Sequence, residues 1–114
     1  MKSKKIYTLN LTIEEHWTQD EETEGVDIND YVRGVFTSLD KAIDGANSVM
    51  ESDEDDTKGI FIMEYDTDKV SSGRCVVGWL NENGKFWKYF EVKDEKHFLY
   101  NPDGSPYCSY KKED

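Results

Sequence analysis

Apolar positions recur at two different spacings along this chain, and the changes of spacing divide it into elements. In residues 5–13, Tyr7, Leu9, Leu11 and Ile13 alternate with Thr8, Asn10 and Thr12. A period of two predicts a strand with one apolar and one wet face. Residues 31–36, YVRGVF, predict a second strand that pairs with the first as a wide hairpin. The period then changes. Leu39, Ala42, Ile43, Ala46, Val49 and Met50 fall on one face at helical spacing, which predicts a principal amphipathic helix over 38–51. Thr37 or Ser38 supplies a side-chain oxygen for its N-cap, and Asp40 stands in the first turn, where the helix dipole favours an anion. Gly45 in the interior costs about 1 kcal/mol relative to Ala. Such a residue suits a helix that lies close against a sheet.

Residues 59–65, GIFIMEY, form a near-continuous apolar run bounded by charge. Its β-branched and aromatic content predicts a central strand buried on both faces. Residues 74–92 predict a hairpin turning at Asn83-Gly84, a pair that accepts positive φ cheaply. Residues 97–110 predict a second hairpin around Asn101, Pro102, Asp103 and Gly104. Pro106 has no N–H to give a ladder, so the last strand is expected at an edge. The expectation is one domain over 1–114 of class α+β: an antiparallel sheet of five to seven strands with one principal helix on one face.

Charge changes what this domain can meet. The chain carries 25 acidic and 14 basic residues, a formal net charge of -11. Nucleic acid and anionic membranes are excluded as partners, because both are bound through Lys and Arg. A basic protein, a cation or a neutral ligand remains. Residues 14–30 concentrate the acid, with Glu14, Glu15, Asp20, Glu21, Glu22, Glu24, Asp27 and Asp30 and no Lys or Arg. Such a run repels itself and predicts a mobile loop between the first two strands. A second acidic run holds Glu51, Asp53, Glu54, Asp55 and Asp56. Aromatics make up 13% of the chain, which excludes a disordered acidic tail. The N-terminus starts basic but alternates instead of continuing into an apolar core, so a cytoplasmic protein is expected. Cys75 and Cys108 are too few for a disulfide scaffold and are expected to be reduced.

The stretch ESDEDDTKGIFIME raises a chemical question. An EF-hand loop needs oxygen ligands at its first, third and fifth positions, Gly at the sixth and a bidentate Glu at the twelfth. Starting at Asp53, the ligands would be Asp53, Asp55, Thr57 and Glu64. Lys58 holds the Gly position, and a strand pattern follows where the motif has a helix. The expectation is therefore an acidic helix-to-strand turn without bound metal. A metal- or small-ligand-binding module over 53–64 stands as the alternative. His16 and His97 are not at metal-ligand spacing with either Cys, and the glycines occur singly, without a phosphate-cradling loop. No cofactor and no catalytic residues are expected.

Phe86, Trp87, Tyr89 and Phe90 crowd one strand opposite Val77 and Trp79. Simple alternation sends Phe86, Lys88, Phe90 and Val92 one way, and Trp87, Tyr89 and Glu91 the other. One helix cannot cover both sides. Either both faces pack under loops, or Trp79, Trp87 and Tyr89 contribute to an exposed patch of the kind enriched at protein interfaces.

The strand-to-helix junction, Gly34, Val35, Phe36, Ser38, Leu39, Lys41 and Ala42, resembles a GVFSSLEKA-like junction in a loose set of short, mostly uncharacterised bacterial and phage proteins. The likeness covers about the first 70 residues. It implies an α+β fold from a mobile-element setting and implies no activity. The functional expectation is a small acidic, non-enzymatic binding or inhibitor protein that docks on a basic surface of a partner protein, such as a nucleic-acid-handling protein. The partner-binding residues expected are Glu14, Glu15, Asp20, Glu21, Glu22, Glu24, Asp53, Glu54, Asp55, Asp56, Trp79, Trp87 and Tyr89. Toxin-immunity proteins, phage inhibitors of bacterial defence and nucleic-acid mimics work in this manner. A plainer expectation is an acidic domain whose charge serves only solubility.

Overall fold

A computed structural model describes residues 4–18, 24–52, 57–68, 70 and 72–107. The elements run β1 (Lys5–Thr18), β2 (Glu24–Phe36), α1 (Leu39–Glu51), β3 (Thr57–Asp66), β4 (Arg74–Glu82), β5 (Lys85–Lys93) and β6 (Lys96–Leu99). The strands form one antiparallel six-stranded sheet in the order β2-β1-β3-β4-β5-β6. The helix packs on one face of it, against β1, β2 and β3. The fold is α+β. Because β2 and β3 both run antiparallel to β1, the helix connects two parallel strands across the strand that lies between them.

The core follows the two sequence periods. Leu9 and Leu11 of β1, Ile60 and Ile62 of β3, Val77 and Trp79 of β4, and Ala42 and Ala46 of α1 are all buried. Leu39, Ile43, Val49 and Met50 close over them as half-buried helix residues. Small residues at 42 and 46 bring the helix axis near the sheet, and Gly45 brings it nearer. A Cβ at Gly45 would lie 2.8 Å from the Phe36 ring and 3.4 Å from a Leu9 methyl. Ser38 is the N-cap, with its side chain accepting from the Lys41 backbone N–H at 3.2 Å.

Two expectations need correction. The acidic segment 14–30 is not a loop where it is described. Strand pairing continues from Tyr7↔Phe36 through Glu15↔Asp27 to Thr18↔Glu24. Alternation of Val26, Ile28 and Val32 with polar residues drives this, and it outweighs the self-repulsion of the carboxylates. The C-terminal hairpin is also displaced. β5 turns into β6 through Asp94 and Glu95, both at positive φ, of 50° and 62°. The Pro102-containing turn then folds residues 101–107 back, with a single bridge from Tyr100 to Pro106. The Asn83-Gly84 turn stands where expected, with φ of 55° and 85°.

Candidate functional site

The β1–β2 hairpin overhangs the rest of the sheet. Pairing of β1 with β3 ends at Ile13↔Thr57, while pairing with β2 runs five residues further. At about 3.3 Å per residue, this leaves a two-stranded arm roughly 16 Å beyond the described start of β3. The molecule is correspondingly long, at 58 × 36 × 30 Å.

Cross-strand partners share a face, so the register sorts the side chains of the whole β1–β2 hairpin. On the helix side stand Leu11 and Tyr31, Ile13 and Asn29, then Glu15 opposite Asp27. On the open side stand Asn10 and Val32, Thr12 and Asp30, Glu14 and Ile28, then His16 and Val26. The Tyr31 hydroxyl donates to Glu15, and this bond raises the tyrosine above its ordinary pKa. Thr12 donates to Asp30 at 2.7 Å. Glu14 meets His16 at 2.9 Å and Lys58 at 3.7 Å. Glu15 and Asp27 face each other as like charges, a pairing that costs stability and that a nearby cation would relieve.

Between these carboxylates the open side carries aliphatic residues. Ile28 is 68% and Val32 62% exposed, with Val26 and Val35 similarly open on the same strand. These residues were not singled out in the sequence, although Val26, Ile28 and Val32 sit at even spacing and supply the signal. Of the predicted partner-binding residues, Glu14 and Glu15 lie on the arm, and Glu24 starts β2. Asp20, Glu21, Glu22, Asp53, Glu54, Asp55 and Asp56 lie outside the described residues.

Trp79 is a correction. It is 8% exposed and belongs to the core beneath the helix layer, so it presents no binding surface. The alternation assumed for β5 also fails. Gly78 pairs with Phe90 and Trp79 with Lys88, which leaves Tyr89 as an extra, bulged residue. The bulge moves Phe90 to the open side of the sheet and Glu91 to the helix side. Tyr89 packs edge-on against Phe61 and Trp87, with ring centroids 6.1 and 6.2 Å apart. Gly78 is the floor of this cluster, for a Cβ there would lie 2.8 Å from the Tyr89 ring. Trp87 and Tyr89 are thus half-buried, mostly against each other and Phe61.

Glu91 is a buried carboxylate on the helix side. Burial pushes its pKa up, but the Tyr100 hydroxyl at 2.5 Å and the Lys88 ammonium at 2.9 Å outweigh that and hold it below the usual range. The same bond pushes Tyr100 up to about 12. A second charged cluster lines a cleft of about 360 Å³ at the far end of β3. There Arg74 meets Glu64 at 3.1 Å and Glu95 at 3.1 Å, while Lys5 reaches Asp66 and Glu64. Each of these charges meets an opposite one in the cluster, and with two cations against three carboxylates the cleft keeps one net negative charge.

This arrangement removes the EF-hand reading. Thr57 is fully buried at one end of β3, and Glu64 lies seven residues along the same strand, about 23 Å away. Glu64 accepts from Tyr7 and Arg74 instead. Among the described residues, no three His, Cys, Asp or Glu side chains gather as metal ligands, and no helix is long and apolar enough to cross a membrane. The Cys75 thiol is half-buried, and burial raises its pKa, which leaves it a poor nucleophile at neutral pH. Cys108 lies outside the described residues. Compared with family models, with curated proteins and with solved structures, the chain matches none of them.

Proposed function

We propose that this chain is a small acidic, non-enzymatic binding protein that docks its β1–β2 arm on a basic surface of a partner protein. The observation that supports this reading is the arm itself. It projects from the sheet, carries exposed aliphatic residues between carboxylates, and belongs to a segment, 14–30, with eight acidic residues and no Lys or Arg. Each part has a separate role. Carboxylates raise the encounter rate with a basic surface and select against acidic ones, while their effect on affinity at a solvated rim is modest. Ile28, Val26 and Val32 supply the apolar area that slows dissociation. A nucleic-acid-handling protein is the partner class that fits best, because its phosphate-binding surface is basic and strand-borne carboxylates can occupy it. An inhibitor of the immunity or anti-defence type is the form this reading takes.

The test uses the full tagged chain in extract of its source cells, at about 50 and about 500 mM salt, a range over which phosphate-like contacts weaken steeply. The expected result is one basic protein retained at low salt, released at high salt, and lost with the Glu14→Gln/Glu15→Gln/Asp27→Asn variant. Equal retention at both salts by wild type and variant would overturn the reading. So would a tightly held small molecule in place of a protein.

A further inference from the structure

We infer that the outer edge of β2 takes up an extended segment of the partner, one that alternates aliphatic residues with Lys or Arg, as a seventh strand of the sheet. This rests on the proposed docking of the arm and adds its mode. β2 is a terminal strand of 13 residues, and among the described residues no other strand pairs with its outer edge. A row of backbone N–H and C=O groups of that length is a template for another chain, which sheet proteins blunt with Lys, Pro, short strands or cover. The opposite margin is blunted in this way. β6 has only four residues, and Tyr107 donates its backbone N–H to Leu99 as the chain folds back over it. β2 has no Pro, no Lys, and one Arg at the bulge that ends its regular run.

The side chains beside that edge specify the incoming strand. Val26, Ile28 and Val32 line the open side and accept aliphatic partners, with Asp30 between them. On the helix side stands Asp27, with Glu15 directly behind it, and these accept a cation. Added strands present alternate side chains to alternate faces, so an aliphatic-basic alternation satisfies both rows. A second copy of the chain does not. Its own β2 would bring Asp27 and Asp30 against the same carboxylates, and each copy carries a net charge of -11. The carboxylates thus guard the edge against self-pairing while admitting a basic strand.

The probes are eight-residue synthetic peptides, titrated against the full chain by fluorescence anisotropy. One alternates Val and Lys. A second has the same composition with the four Val and four Lys in separate blocks. A third is the alternating peptide N-methylated at every second residue on the edge it would pair. The expected result is at least tenfold tighter binding of the alternating peptide than of the other two, and loss of that preference in the Ile28→Lys variant. Equal binding of all three, abolished by the carboxylate variant, would overturn strand addition while leaving the acidic docking intact. No binding of the alternating peptide would also overturn it. Retention of a cellular partner by wild type in the extract experiment would then show that the docking reading survives on its own.

Discussion

The sheet ends on β6 at one side and on β2 at the other, and these margins differ in length, chemistry and closure. The β6 margin has four residues and is tied down by its own groups: Tyr100 and Lys88 on Glu91, Arg74 on Glu95, and the returning turn at 101–107. The β2 margin has 13 residues and exposed aliphatics, and the adjoining segment 14–30 has eight carboxylates and no Lys or Arg, with Glu14 meeting His16 and Lys58. One margin uses hydrogen-bonded ion pairs to finish the fold. The other leaves its outer hydrogen-bonding edge without a partner strand among the described residues. A charged edge alone is therefore no sign of function; what matters is whether the charges are spent within the molecule.

Substitutions can break this comparison, beginning at the core both margins share. Ile60→Ala should cost about 2–5 kcal/mol, the range for deleting a packed aliphatic side chain, measured by urea denaturation. If the arm's amides stayed protected from exchange while β5 and β6 opened, the margins would not belong to one cooperative unit, and the comparison would fail. Next in size is Glu91→Ala, at about 1–3 kcal/mol, for the loss of charged hydrogen bonds at a buried site. A loss under about 0.5 kcal/mol would mean that the β6 margin is held by its turn and not by this cluster.

The pH dependence sharpens the same point. Glu91 is depressed in the folded state, so its contribution is present above the unfolded carboxylate range and is lost as pH falls through the folded value. Tyr100 is raised, to about 12, so between the ordinary tyrosine value near 10 and about 12 the folded state holds a proton that the unfolded state has released. Stability should fall across that alkaline window. Tyr100→Phe should flatten this part of the stability–pH curve, and an unchanged curve would remove Tyr100 from the account. The smallest effect belongs to the open margin. Ile28→Lys should change stability by no more than about 0.5 kcal/mol, and a loss well above 1 kcal/mol would mean that Ile28 is covered within the fold.

The parts that were legible in the sequence are local. The helix stripe with its Ser38 cap, the alternation in residues 5–13 and the Asn83-Gly84 turn each need only neighbouring residues to be read. The arm differs from the expected loop because dense acid suggests solvation, while the alternation of Val26, Ile28 and Val32 favours a strand and the pairing of Glu15 with Asp27 is set by the register between β1 and β2. The expected grouping of Phe90 with Phe86 fails for a different reason. A single bulge at Tyr89 shifts the alternation of β5, and a bulge is set by the neighbouring strand. The Asp94-Glu95 turn gave no signal because it takes positive φ without glycine. Of the candidate site, the carboxylates Glu14, Glu15 and Asp27 were visible, and the aliphatic residues between them were not.

The position of β1 between β2 and β3 also governs how the chain is made. β1, β2 and α1 are synthesised before any of β3, so the emerging ribbon has two unsatisfied edges where the finished sheet keeps one. Among the described residues, the β1 edge that β3 later covers runs to Ile13, and the acidic arm begins at Glu14. Pulse-labelled hydrogen exchange should therefore find the β1 amides that face β2 protected no later than those that face β3. The carboxylates of the arm lie beyond the last β1–β3 pair among the described residues, where they repel other nascent ribbons both before and after the seam closes.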